Sequence, residues 1–295
     1  MELSIAFIVG GVIIGGLIGF LTGVFGVGGG FMLTPLLMIV LGVPAPVAVG
    51  TGLAVILANS TYGLYVRRKS KTIDIKLSLV ISIGSVGGVL IGAWLLDLLA
   101  RTPDITILGR EQEPARYVLL VLFLLLLGWI AGYLYYDYRK HYGETVAVRV
   151  GLLAGVSLPP YTAFRSLERP MLSVPALVLM GILVGLLTGL LGVGGGVVLL
   201  PALVYLVGQR AIKAAGTSLL LVWIASLTGV IRMAGVNNIS LVLFVILLAG
   251  GFTGTALGTR IGLALKGPKL RLYFIVVVVA AVILVAYELV KITFW

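Results

Sequence analysis

Gly19-Phe20-Leu21-Thr22-Gly23-Val24-Phe25-Gly26-Val27-Gly28-Gly29-Gly30 decides how this chain folds, because it is written twice. The second copy is Gly185-Leu186-Leu187-Thr188-Gly189-Leu190-Leu191-Gly192-Val193-Gly194-Gly195-Gly196, an offset of 166 residues. Pro35 and Pro201 follow the two copies, and the register then holds without a gap. Gly50-Thr51 falls on Gly216-Thr217, Ser60 on Ser226 and Gly63 on Gly229. Gly84, Gly88 and Gly92 fall on Gly250, Gly254 and Gly258. An ungapped duplication whose glycines interrupt apolar segments is the pattern of a two-repeat membrane transporter, with its substrate site between the halves.

Composition agrees. Of the 295 residues 60% are hydrophobic and 11% charged, and the mean hydropathy is +1.21. Soluble chains carry about 25% charged residues, so this is an integral membrane protein with lipid as its surroundings. The net charge of +11 sits on Lys and Arg in loops between apolar runs. It reads as a topology signal and not as a nucleic-acid surface. The absence of cysteine excludes disulfides and thiolate metal sites. The first residues run straight into an apolar stretch without a basic leader, which predicts a first membrane segment and no removed signal peptide.

Ten apolar segments are expected, near residues 5–24, 31–43, 47–66, 77–98 and 117–138 and near 171–191, 197–207, 211–231, 241–265 and 272–292. The fold class is all-α: two inverted-topology repeats of about five segments each, with glycine-broken half-helices meeting near the membrane midplane. The repeats occupy 1–140 and 171–295, and a cytoplasmic connector, 141–170, joins them, with 144–158 either an interfacial helix or part of an ordered linker. Most segments can cross a ~30 Å hydrocarbon core, which takes about 20 helical residues. Segments 31–43 and 197–207 are half that length and follow the glycine runs. They are expected to be half-helices, either crossing with their neighbours or re-entrant.

Loop charge orients the halves. Arg67-Arg68-Lys69-Ser70-Lys71 is strongly basic, so loop 67–76 is assigned to the cytoplasm, as are 139–170 and 266–271. The loop of the second half that matches the basic one, 233–240, has no charge. The halves are therefore expected to be inverted in a plasma-membrane protein with both termini outside. Arg232 and Arg260, at segment ends, are expected to snorkel to the surface.

A helix break in hydrocarbon frees backbone N–H and C=O groups, and survives only where protein or a polar cavity satisfies them. The helix that restarts after the break offers unpaired N–H groups and the positive end of its dipole, which favour an anion. Gly26, Gly28, Gly29 and Gly30, with Gly192, Gly194, Gly195 and Gly196, are thus the candidate substrate-binding residues. Three consecutive glycines disfavour helix by about 1 kcal/mol each, more than packing alone requires. By contrast, the strict four-residue period at Gly84/Gly88/Gly92 and Gly250/Gly254/Gly258 reads as helix packing. Thr51, Thr217 and Ser218 begin equivalent segments and are expected to hydrogen-bond the anion from both halves. Asn59, Ser60 and Ser226 form a secondary polar band. No Asp or Glu falls in the middle of a segment, and His141, the one histidine, lies in the connector. A buried proton relay is not expected, nor a catalytic centre, a metal or a cofactor.

The paired GxxxGxxGxGGG…P motif, with the Gly-Thr step and the repeat length, resembles the sulfite exporter TauE/SafE family of membrane permeases, also called TSUP. The resemblance covers nearly the whole chain. It implies an anion permease, since family members are implicated in moving sulfite and organosulfonates such as sulfoacetate. The expected function is secondary transport of a small sulfur-containing anion by alternating access. The alternatives are an anion-selective channel or a permease for another small carboxylate or oxyanion.

Overall fold

The computed structural model describes residues 5–25, 29–68, 72–107, 110–140, 151–164, 167, 171–265 and 267–294. Helices dominate it: α1 Ile5–Phe25, α2 Gly30–Ile39, α3 Ala45–Arg67, α4 Ile75–Ala100, α5 Pro114–Lys140, α6 Val174–Leu191, α7 Gly196–Pro201, α8 Ala211–Ala234, α9 Leu241–Ala264 and α10 Gly267–Phe294. Among the described residues, eight are long and apolar enough to span a membrane. The exceptions are α2 and the stretch Gly196–Leu206, in which α7 runs at Pro201 into a π-helical turn, Ala202–Leu206. Ten helical residues reach about 15 Å, half a hydrocarbon core.

The helix starts follow local chemistry. Pro44 precedes α3, and Pro46 stands in its first turn, where a missing N–H costs nothing. Asp74 caps α4 by accepting from the Leu77 amide at 3.0 Å, and Ser240 caps α9 by accepting from Leu243 at 3.4 Å. These two caps stand 166 residues apart, so the repeat extends to its punctuation. Helix α5 buries the stripe Ala115, Leu119, Phe123, Leu127, Ile130 and Leu134, while Leu125 and Trp129 on the other side are more than 60% exposed. Exposed apolar side chains of that size belong against lipid.

The halves interlock. Helix α1 lies along α9, and α4 along α6. A Cβ added at Gly84, Gly88 or Gly92 would overlap the carbonyl oxygens of Val178, Ile182 and Leu186 in turn. Reciprocally, one added at Gly250, Gly254 or Gly258 would overlap those of Val12, Gly16 and Phe20. Every partner differs by 166 from its counterpart. Ascending numbers meet ascending numbers, so both pairs are parallel. Gly15, Gly19 and Gly23 close the same seam from the other side against Leu247, Gly251 and Thr255. The first GxxxG of the repeated sentence is thus a backbone-to-backbone contact of the small-residue kind.

Helices α3 and α8 are equivalent in sequence and pack antiparallel. Gly63 faces Leu219, Gly229 faces Leu53, and the Trp223 Nε1–H donates to the Thr61 hydroxyl at 2.8 Å. Helix α9 runs parallel to α3, since Thr51 meets Ser240 and Asn59 meets Gly251. Helix α2 runs against α3, because Gly30 lies by Ile56 whereas Leu33 and Thr34 lie by Gly52. The first short helix therefore turns back from α1, as a re-entrant hairpin does.

Polar contacts sort the loops onto two faces. On one, the Asp74 amide meets Thr217, Lys76 Nζ donates to the Ala163 carbonyl at 2.9 Å, and Gly151 abuts Leu206 and Val207. On the other, Thr51 meets the Ser240 amide, Arg232 pairs with Asp97, Arg116 pairs with Glu288 at 2.8 Å, and Gln112 Nε2 donates to the Ile292 carbonyl. Two short hairpins, β1 Ile105–Ile107 with β2 Arg110–Gln112 and β3 Tyr161–Ala163 with β4 Met171–Ser173, trim these faces. In the connector, residues 141–150 fall outside the described residues, including His141 and the first part of the segment 144–158 expected as an interfacial helix. From residue 151 the connector is a 3-10 turn, Leu152–Gly155, leading to the β3–β4 hairpin. Arg260 is exposed on the last turn of α9, as snorkelling requires, but Arg232 is engaged by Asp97.

Candidate functional site

Each short helix starts from a glycine in left-handed backbone. Gly29 has φ 64° and ψ −3°, and Gly195 has φ 74° and ψ −16°. An L side chain rarely adopts this conformation, so the sequence supplies glycine where the chain must reverse into a helix. Neither start has a side-chain cap. The Gly29 carbonyl accepts from the Met32 and Leu33 amides, and the Gly195 carbonyl from Val198 and Leu199. In the second copy this leaves the Gly196 and Val197 amides with no acceptor inside their helix. Gly192 and Gly194 share the left-handed conformation, and the Gly192 amide closes α6 on the Thr188 carbonyl at 2.9 Å.

The two breaks meet. A Cβ on Gly30 would stand 2.5 Å from the Val193 carbonyl oxygen, and it would also overlap the Ile56 side chain. On Gly194 it would meet Ile56 at 3.0 Å and Val222 at 3.4 Å. The Thr34 hydroxyl donates to the Gly192 carbonyl at 3.4 Å, tying α2 to the second break. Ile56 and Val222 are equivalent residues, and both are fully buried. The point where the halves converge is therefore backbone from both glycine runs, walled by one aliphatic side chain from each half, and closed to solvent. Gly26 and Gly28 lie outside the described residues. Gly29, Gly30, Gly192, Gly194, Gly195 and Gly196 are all buried around this point.

Thr51 and Thr217 are not brought together. The Thr51 hydroxyl accepts the Ser240 amide at 3.0 Å, and that of Thr217 accepts the Asp74 amide at 3.2 Å and Gln209 Nε2 at 3.0 Å. Because α3 and α8 are antiparallel, Thr217 lies near the level of Gly63, about 12 residues or roughly 18 Å along α3 from Thr51. Each threonine instead ties the start of an α4-type helix to the opposite half. The glycines beside these threonines face protein: a Cβ on Gly50 would overlap the Asn238 carbonyl, and one on Gly216 would reach Thr72. Ser218 lies beside Thr217, and its hydroxyl donates to the Ala215 carbonyl at 3.2 Å.

Thr51→Val is accordingly expected to leave the Ser240 amide without its acceptor. That costs about 1 kcal/mol, read as a lowered melting temperature of the purified protein, with ligand affinity unchanged within about twofold. A tenfold loss of affinity at unchanged stability would return Thr51 to the site.

Sequence reading placed Arg67 at the start of a basic cytoplasmic loop. It is instead 4% exposed, and its Nη2 donates to the Gly23 carbonyl at 3.1 Å. Gly23 lies in the last turn of α1, where carbonyls lack intrahelical donors, so the guanidinium caps the helix that enters the first break. The only signal was its position as the first of several basic residues. Its counterpart Met233 cannot do the same for α6, where Gly192 closes the helix end.

The secondary polar band is reordered too. Asn59, Ser60 and Ser226 are fully buried, and their side-chain polar atoms have no hydrogen-bond partner. Thr255, on α9, shares both properties.

The chain is 26% identical over 278 residues to a probable membrane transporter protein of Xylella fastidiosa, covering 93% of each chain. It is 26% identical over 250 residues to the probable membrane transporter protein YjnA of Bacillus subtilis, covering 85% of this chain and 88% of that one. A probable membrane transporter protein of Methanocaldococcus jannaschii is 29% identical over 197 residues, 65% of this chain and 60% of the relative. No solved structure matches. The sequence profile described as sulfite exporter TauE/SafE matches residues 11–285. With that match over nearly its whole length, this chain is a membrane transporter and not an enzyme, and it belongs to the sulfite exporter TauE/SafE family.

Proposed function

We propose that the protein is a secondary transporter of a small sulfur-containing anion, sulfite or an organosulfonate, working by alternating access about the meeting point of its two glycine breaks. One observation carries this reading: Gly30 of the first break lies against the Val193 backbone of the second, at the start of short helices whose dipoles favour negative charge. The antiparallel packing of the equivalent helices α3 and α8 supports inverted repeats, related by an axis in the membrane plane. Rocking of one interlocked pair, α1 with α9, against the other, α4 with α6, would open the point alternately to each face. Charge supports placing the face of loops 67–76, 139–170 and 266–271 in the cytoplasm, with both termini outside the plasma membrane.

The test is uptake of labelled sulfite by proteoliposomes, preloaded or not with unlabelled sulfite, beside conductance across a planar bilayer. Counterflow without single-channel steps is the expected result. Conductance steps with no counterflow would make the same backbone site a channel. Exchange of a carboxylate in place of sulfite or a sulfonate would move the substrate class.

A further inference from the structure

Asn59 is a costly residue to leave where it is. Both polar atoms of its amide are buried without a partner, in the middle of a membrane-spanning helix. An unsatisfied buried polar group costs free energy, and native proteins satisfy nearly all of them. The repeat shows that the fold does not require it, since the equivalent position in the second half is Ala225. The same asymmetry recurs on α9, where buried, unpartnered Thr255 stands opposite Val89 in the repeat.

Helix register and contacts place these residues on neighbouring turns of α3, α8 and α9. The Asn59 amide fills the notch left by Gly251: a Cβ there would stand 2.9 Å from Asn59 Oδ1 and 3.3 Å from Nδ2. Thr255 is one helical turn beyond Gly251 on α9. Ser60 adjoins Asn59 and is one turn from Ile56, which touches both glycine breaks. Ser226 is one turn from Val222 and, by the antiparallel pairing of α3 and α8, level with Ile56.

We infer that Asn59, Ser60, Ser226 and Thr255 form a side-chain subsite for a small oxyanion next to the glycine breaks. The inference rests on the transporter reading above. The donor set decides the sign of the ligand. An amide N–H₂ and three hydroxyls offer five hydrogens to oxygen acceptors, with no carboxylate to repel an anion or hold a cation. Neutral donors in a dry site bind an anion without a buried countercharge, and hydrogen bonds to a charged group are the stronger kind. Asn59 and Thr255 are the two residues the symmetry does not supply, and Asn59, which brings two of the donor hydrogens, is expected to contribute most to the affinity of this subsite.

The experiment is equilibrium binding of labelled sulfite and of an organosulfonate to the purified full-length protein and two variants. Asn59→Ala installs the residue of the second half, so the helix tolerates it. Affinity is expected to fall about tenfold to a hundredfold for at least one anion. Asn59→Asp keeps the shape and adds a negative charge, and is expected to abolish anion binding. Melting temperature with and without the anion is the second readout: the parent is stabilised by ligand and Asn59→Asp is not. Unchanged affinity in both variants, whatever their melting temperatures, overturns the subsite and makes Asn59 a packing residue. Tighter cation binding by Asn59→Asp, with anion binding intact, overturns the sign. Absence of anion binding by the parent overturns the functional reading itself, and this subsite with it.

Discussion

Gly29→Val and Gly195→Val are each expected to abolish transport, lowering initial rates about a hundredfold or more, the equivalent of a few kcal/mol. Two costs combine. Each position is left-handed, with φ 64° and 74°, a conformation that a β-branched residue adopts only under strain of about 1–3 kcal/mol. The added Cβ would also stand 2.7 Å from the Ile18 carbonyl oxygen at Gly29, or 2.8 Å from the Thr188 hydroxyl and the Val184 side chain at Gly195. Those contacts belong to the preceding helix of the same half. The substitution therefore unseats the start of the short helix and does not simply plug the meeting point. Gly30→Ala separates the two effects. It needs no unusual φ, yet its Cβ enters between Ile56 and the Val193 carbonyl. It should inactivate by wedging the halves apart. Initial-rate uptake into vesicles holding matched amounts of inserted protein measures all three. Normal uptake by both Val variants would remove the glycine breaks from the mechanism.

Gly88→Leu and Gly254→Leu are expected to yield little folded protein. The α4–α6 and α1–α9 seams bring backbone against backbone, and a Cβ at either glycine would overlap a carbonyl of the partner helix, Ile182 or Gly16. Lipid offers no hydrophobic drive to hold separated helices together, so close packing is what binds these seams. Even Gly88→Ala should destabilise by about 1–3 kcal/mol, in the range of overpacked cores. Gly87 is the internal control: nothing lies within 4 Å of a Cβ there. Gly87→Ala should be neutral or stabilising, because alanine is the better helix former by about 1 kcal/mol. Thermal unfolding in detergent reads the contrast. Equal melting temperatures for Gly87→Ala and Gly88→Ala would show that the seam is not a close contact.

Much of this was legible in one dimension. Spans α1, α3, α4, α5, α6, α8, α9 and α10 follow from apolar length, since hydrocarbon admits little but helix. The breaks follow from consecutive glycines, whose poor helix propensity is local. The interruption at 192–196 was readable for that reason, and the packing role of Gly84, Gly88 and Gly92 from their four-residue period. The short hairpins were not, because strands of three residues in polar loops show no periodicity.

Partnership lay beyond the sequence. Thr51 and Asn59 are eight residues apart on one helix, and both are polar residues in an apolar run. Sequence reading favoured the threonine for the site, because it recurs in both halves. The structure gives Thr51 the Ser240 amide and leaves Asn59 with none. Arg67 likewise reads as one of a basic cluster until α3 sets it beside the Gly23 carbonyl. By itself the sequence determined the spans, the breaks, the repeat and the loop charges, because those rest on propensity, hydropathy and composition, which each segment carries locally. Only the tertiary structure decided that α1 lies on α9 and α4 on α6, that the two glycine runs touch, and which buried polar groups are satisfied. Those depend on partners far away along the chain, such as Gly84 with Val178 and Gly30 with Val193.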